Sequence, residues 1–348
     1  MNDTTGQMTG VWGLLKDLET KKGITEVTIN SPKHIFVERA GQFIQLNYAL
    51  TKNDIVQFAK EVAQFNRRPF DIKNPIIDGN LPDGSRINII NEPFAQGSPS
   101  VSIRKYLRQI NSFDTNPGIF GLETHWVELL KAMVSARLNV IVSGGTGVGK
   151  TTLLNLLLKE IAAQERVITI EDTLELQVEL PNLVRLEART FLNNEGASLS
   201  IRDLVKNTLR MRPDRIIIGE TRGGELFDLL QAMNTGHDGS MSSVHSNSPG
   251  ECLSRMETLF LLAGYEIPVH VIRKMISSAV DVIVQISRNR EGERVVTSIT
   301  ELTGMEGPNI LSQQLAVYED NKLIKTGMAS HYMEKLHRYG GLPLNYFS

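Results

Sequence analysis

The chain has 348 residues, 41% of them hydrophobic, with 37 basic against 39 acidic side chains and a pI near 6.4. That length suits two domains with sizeable cores, and the balanced charge leaves no domain-wide positive field, so stable nucleic-acid binding is not expected. A lone cysteine, Cys252, excludes an intramolecular disulfide and a four-cysteine zinc module, and it reads as a small buried apolar residue in a helical stretch.

The first hundred residues read as a small α+β unit. Residues 26–30 and 34–38 have strand composition with an Asn-Ser-Pro turn between them, and Ala40-Gly41 turns into a hairpin partner at 42–46. Ile55, Phe58, Ala59 and Val62 have helical spacing within 54–64. The Pro82-Asp83-Gly84-Ser85 turn joins strands at 75–78 and 86–90, and residues 100–104 read as a final strand. Asn111, Ser112, Asp114, Thr115, Asn116, Pro117 and Gly118 then cluster, which places a boundary between Arg108 and Gly121. The expected division is an N-terminal domain at 1–108, a hinge at 109–120 and a second domain at 121–348. From Leu122 helical patterns alternate with apolar strands at 139–143, 166–170, 183–187, 215–219 and 240–244, which fits a parallel sheet covered on both faces. Helical spacing continues from Pro249 to Ala279, strands follow around 282–287 and 293–301, and a short helix near 331–338 ends at Gly340-Gly341. No apolar stretch approaches the ~18 residues that span a bilayer. The start, MNDTTGQMTG, has no basic or apolar region of a signal peptide. A cytoplasmic chain is expected, reaching a membrane only through a partner.

The most informative segment is Gly144-Gly145-Thr146-Gly147-Val148-Gly149-Lys150-Thr151, followed by Thr152. It lies between the β-branched run Asn139-Val140-Ile141-Val142 and an apolar helical stretch at 153–158. Strand, glycine loop and helix in that order wrap backbone N–H groups around a phosphate chain. The glycines permit close approach, Lys150 reaches the terminal phosphates, and the Thr151 hydroxyl binds Mg²⁺. The segment therefore reads as a nucleoside triphosphate site.

Hydrolysis needs carboxylates and cations in addition. Ile216-Ile217-Ile218-Gly219-Glu220 delivers Glu220 at a strand end, and Ile168-Thr169-Ile170-Glu171-Asp172-Thr173-Leu174-Glu175 ends another strand with three acids. Acids at the carboxyl ends of parallel strands face the ligand crevice. For Glu175, spacing alone leaves open whether it faces the ligand or water. His237 and His245 flank a further short strand, either as hydrogen-bonded structural residues or as sensors of a γ-phosphate. Zinc-type clustering is absent from the seven histidines.

Taken together, GGTGVGKTT, IEDTLEL, LRMRPDRIIIGETRG and NTGHDGSMSSVHSN resemble, in order and spacing, the Walker A, Asp, Walker B and His boxes of the type II/type IV secretion ATPase family. LPDGSRINI, SVSIRKY and HRYGGLPLN resemble its tight-adherence pilus branch, and the similarity runs from about Ile24 onward. The chain departs from the family's type II secretion branch in lacking a tetracysteine module. It departs from the retraction branch in reading Glu-Asp-Thr for Glu-Asp-Pro, and from many assembly members in its short N-terminus without a long leader.

The resemblance implies an α/β chain: a RecA-like P-loop NTPase domain with a parallel-containing sheet, preceded by a smaller α+β, PAS-like N-terminal domain. It implies ATP with Mg²⁺, a homohexamer, and inner-membrane platform proteins as partners. By the same resemblance Lys150 and Thr151 hold phosphate and Mg²⁺, while Glu175 and Glu220 orient water or metal. His237 would contact the γ-phosphate region with His245 nearby. Arg86 and Arg104 would swing onto the terminal phosphate, and Arg212 resembles a further phosphate-side arginine. Judged without the family, each of these arginines reads as a surface ion-pairing residue. The function implied is a motor for pilus assembly or protein export. A conjugation or DNA-uptake motor shares the chemistry and differs in cargo. Balanced charge and the lack of a basic, aromatic-rich loop disfavour a RecA-type DNA-binding filament. Intact Lys150, Glu175 and Glu220 disfavour a scaffold without turnover.

Overall fold

A computed structural model of the chain describes residues 10–21, 23–39, 41–105, 112–188 and 198–347. The start of the chain, the Ala40 turn residue, the end of the expected N-terminal domain at 106–108 and positions 109–111 of the expected hinge lie outside the described residues. Two compact units result, Met1–Gln109 and Ile110–Ser348.

The first unit runs α1 (Gly10–Glu19), β1 (Ile24–Ser31), β2 (His34–Arg39), β3 (Gln42–Leu46), α2 (Lys52–Phe65), β4 (Ile76–Asn80), β5 (Arg86–Ile90) and β6 (Ser100–Arg104). Its six strands form an antiparallel sheet in the order β3-β2-β1-β6-β5-β4. Alternation places Val27, Ile103 and Ile87 in one cross-strand row, and α1 and α2 bury Leu14, Leu18, Phe58 and Val62 in the same core. Thr51 and Asp54 cap α2 reciprocally, each side chain bonding the other's backbone N–H. Helix α1 is not anticipated from the sequence, although Val11, Leu14, Leu15 and Leu18 are buried at helical spacing.

In the second unit the chain continues through α3 (Thr124–Ser135), β7 (Val140–Gly144), α4 (Lys150–Leu158), β8 (Val167–Glu171), β9 (Leu183–Glu187), α5 (Ile201–Thr208), β10 (Arg215–Ile218) and α6 (Glu225–Asn234). There follow β11 (Met241–His245), α7 (Pro249–Leu261), α8 (Val269–Ala279), β12 (Val282–Arg288), β13 (Arg294–Glu306), β14 (Asn309–Glu319), β15 (Lys322–Lys325) and α9 (Met333–Gly340). The nine strands are ordered β15-β14-β13-β12-β7-β11-β10-β8-β9. Those from β12 to β9 are parallel.

Both faces of the parallel part are covered, which explains its uninterrupted apolar runs. Val140, Val142 and Ile217 point to a core shared with α3 and α4. Ile141, Ile168, Ile170, Ile216 and Ile218 point to a core shared with α5, α6, α7 and α8. The sheet is not wholly parallel, however: β13, β14 and β15 extend it as an antiparallel meander. β14 and β15 are not anticipated because most of their side chains face solvent and only Leu315, Ala316 and Leu323 are buried apolar residues there.

Candidate active site

β7 lies between β12 and β11 and is buried throughout, so the chain leaving it at Gly144 turns over the carboxyl edge of the sheet before α4 begins at Lys150. Gly147 and Gly149 have left-handed backbone, with φ of 71° and 100°. A Cβ on Gly149 would stand 3.0 Å from Phe120 Cε1 and 3.3 Å from Arg294 Cδ, so a side chain there would crowd both in addition to straining the left-handed backbone. The first amides of α4 have no intrahelical acceptor, and the N–H groups of a glycine loop at such a terminus can donate to phosphate oxygens.

Lys150 is only 8% exposed. Its Nζ donates to Gly145 O at 2.9 Å and lies 3.2 Å from His245 Nδ1. An ammonium group has no lone pair, so a ring nitrogen facing it must accept, which requires neutral imidazole. Burial pushes the His245 pKa down; Glu220 opposes that shift, while Lys150 and Arg222 add to it. His245 Nε2 is in direct contact with Glu220 Oε1. Glu220 Oε2 accepts from Arg222 Nε at 2.9 Å, and Arg222 Nη1 stands 3.7 Å from Asp172 Oδ2. A chain of charged and polar groups thus links the glycine loop to the carboxyl ends of β11, β10 and β8.

At the start of α4, Thr151 Oγ1 donates to Glu175 Oε2 at 3.2 Å. These two hard oxygens fit Mg²⁺, which uses one or two protein oxygens and completes its shell with phosphate and water. Behind them Glu171, the last residue of β8, is 3% exposed. Its Oε1 accepts from the N–H of Glu175 at 2.7 Å and of Leu176 at 2.8 Å. Burial nevertheless pushes the Glu171 carboxyl up to about 7.

Strand order decides which of the anticipated residues meet. β11 lies between β7 and β10, so His245 takes the place beside Lys150 and Glu220 reaches that lysine through it. Two of the anticipated residues stand apart from this group. His237 precedes β11 and Arg212 precedes β10, so both sit at the amino ends of parallel strands, the edge opposite the glycine loop. The five residues of β11 separate the two edges by about 16 Å. There His237 Nδ1 faces Ala232 O at 3.1 Å, near the end of α6, and Arg212 is exposed with φ 54°. Arg215, which starts β10, is the buried guanidinium of that edge and binds Glu165 through Nε and Nη2, each at 2.8 Å. Arg86 and Arg104 lie in the first unit, opposite one another on β5 and β6. Arg222 is missing from the residues singled out in the sequence, although it stands two positions beyond Glu220 in the Walker-B segment. Cys252 is buried as anticipated, and burial pushes its thiol up to about 12.

The Type II/IV secretion system protein family matches residues 13–316. A putative conjugal transfer protein of Mycobacterium tuberculosis is 34% identical over 310 residues, covering 86% of this chain and 87% of its own length. The type IV secretion system protein PtlH of Bordetella pertussis is 33% identical over 319 residues, covering 83% of this chain and 93% of its own. Among solved structures, the ATPase DotB of Legionella pneumophila shares the fold, with a TM-score of 0.60 at 20% identity over 87% of this chain and 83% of that one. Among the described residues no helix is long and apolar enough to cross a membrane.

Proposed function

Because the chain belongs to the type II/IV secretion system protein family, we propose that it hydrolyses ATP with Mg²⁺ and acts as the motor of a secretion or pilus-assembly machine. The observation that carries this reading is the meeting of Lys150, Thr151, Glu175, His245 and Glu220 around one glycine loop. Lys150 and the amides of the loop hold the β- and γ-phosphates. Thr151 and Glu175 hold the metal side, and Mg²⁺ when bound neutralises charge that develops on the phosphate oxygens. Glu175 orients the attacking water. Glu220 supports it from the Walker-B strand, and His245 links Glu220 to Lys150, so a lysine drawn onto phosphate alters the field at Glu220.

In the same proposal, Arg86 and Arg104 complete the charge clamp as the domains at 1–108 and 121–348 close about a hinge at 109–120. Arginine clamps of this type contribute roughly 10³–10⁵ in rate. Loss of the γ-phosphate releases the clamp and turns a local electrostatic change into rigid-body motion. The working form is a homohexameric ring on the cytoplasmic side, joined to inner-membrane platform proteins. The pilus reading rests on LPDGSRINI, SVSIRKY and HRYGGLPLN. The relatives named for conjugal transfer and type IV secretion favour a second reading, transfer of protein or DNA by the same chemistry.

Mass photometry with a non-hydrolysable ATP analogue tests the ring, and phosphate release with and without Mg²⁺ tests the chemistry. A chain that stays monomeric, or hydrolysis indifferent to Mg²⁺, contradicts the respective part.

A further inference from the structure

We propose that Glu171 is a positioning residue for hydrolysis: its buried carboxyl holds the turn that carries Glu175 and thereby aims the Glu175 carboxylate at the Thr151 hydroxyl. The proposal rests on the ATP-hydrolysis reading and assigns a role inside that site. Beyond β8 the chain at 172–180 forms no helix or strand, so its backbone N–H and C=O groups need partners from elsewhere. Side chains of three elements supply partners. Arg185 of β9 donates to Leu176 O at 2.9 Å, and Asn155 of α4 accepts from Gln177 N at 2.7 Å. Glu171 takes the N–H groups of Glu175 and Leu176 on a single oxygen. Of these holds, only that of Glu171 falls on Glu175 itself.

The Glu171 side chain is confined as tightly as the turn it holds. A Cβ on Gly219, the residue before Glu220, would stand 3.1 Å from Glu171 Cγ, so the Walker-B strand walls it in. The other carboxyl oxygen, Oε2, is buried without a hydrogen-bond partner among the described residues. A group with one oxygen committed to two amides and the other enclosed by protein is built to hold backbone. Tilting that turn moves the Glu175 carboxylate from its 3.2 Å contact with Thr151 Oγ1, and displacements of this order at a reacting centre are costly in rate.

Two substitutions separate reach from charge. Glu171→Gln keeps an acceptor oxygen at the same reach and removes the charge; Glu171→Asp keeps the charge and withdraws the oxygen by one methylene. With the full chain, phosphate release gives kcat and KM, and a fluorescent ADP analogue gives nucleotide affinity. Glu171→Gln is expected to stay within about threefold of the parent in kcat, while Glu171→Asp and Glu171→Ala lose roughly 10²-fold with KM and ADP affinity changed less than about threefold. In a Glu175→Gln background, Glu171→Asp is expected to cost nothing further, because a residue acting only through Glu175 has nothing left to position. Loss in Glu171→Gln equal to that in Glu171→Asp, loss of affinity in step with kcat, or independent losses in the double variant overturns the proposal. An unsubstituted chain that releases no phosphate instead overturns the hydrolysis reading on which it rests. Should Glu171→Ala fail to fold, the Gln and Asp variants still decide.

Discussion

Arg86 on β5 and Arg104 on β6 stand directly opposite one another in an antiparallel ladder. Like charges at such a pair destabilise a sheet by a fraction of about 1 kcal/mol, and Glu26, opposite Arg104 on β1, offsets part of that cost. Two guanidinium groups side by side on neighbouring strands have the fork geometry that binds phosphate oxygens, which is the role proposed for them.

Replacing either arginine should therefore separate stability from turnover. Arg86→Ala and Arg104→Ala are each expected to change thermal stability by no more than about 1 kcal/mol, while phosphate release falls by roughly 10²-fold or more. Melting curves and steady-state kinetics on the same preparations read both quantities. A lowered melting temperature with nearly intact turnover would assign the pair to structure.

The two histidines of the NTGHDGSMSSVHSN segment should behave differently, since β11 holds them at opposite edges of the sheet. His245→Ala breaks the link between Lys150 and Glu220 and should lower kcat by roughly 10²-fold, with nucleotide affinity largely kept. His237→Ala removes a contact to Ala232 O and should leave kcat within about twofold, costing about 1 kcal/mol of stability. Equal kinetic damage from both would contradict their placement.

At the far edge of the sheet, the Arg215 and Glu165 side chains are 1% and 12% exposed and joined by two hydrogen bonds. Burial alone would raise the Glu165 pKa, but hydrogen bonds and charge from Arg215 and Arg137 outweigh it and hold the carboxyl below its ordinary value. A folded-state pKa below the unfolded one contributes stability above the unfolded value, about 4.3, and loses it as pH falls through the folded value. Glu165→Gln should thus be less stable than the parent at pH 7, and the gap should narrow below about pH 4. Arg215→Leu, which leaves the acid short of a partner, should cost on the order of 3 kcal/mol at pH 7. Denaturant melts across pH check both.

What was legible in the sequence was local. The glycine loop declares itself because strand, turn and helix are consecutive, and the strands expected at 100–104 and 183–187 match the observed bounds of β6 and β9. What depends on strand order was not legible. Nothing near Glu220 reveals that β11 comes between its strand and β7, which is why His245 rather than Glu220 adjoins Lys150. His237 and Arg212 lie at the other edge of the sheet for a related reason: proximity along a motif ignores the length of the strand that follows. β14 and β15 escaped because a strand facing solvent has little apolar pattern to betray it.

The most direct measurement of the central claim separates binding from hydrolysis at the glycine loop. Affinity for a fluorescent ATP analogue and phosphate release should be measured with Mg²⁺ for the unsubstituted chain, Lys150→Ala and Glu175→Gln. The unsubstituted chain should bind and hydrolyse, Lys150→Ala should lose both, and Glu175→Gln should bind with near-parent affinity while releasing little phosphate. Phosphate release that survives Lys150→Ala, or affinity that falls with Glu175→Gln as far as turnover does, would contradict the account.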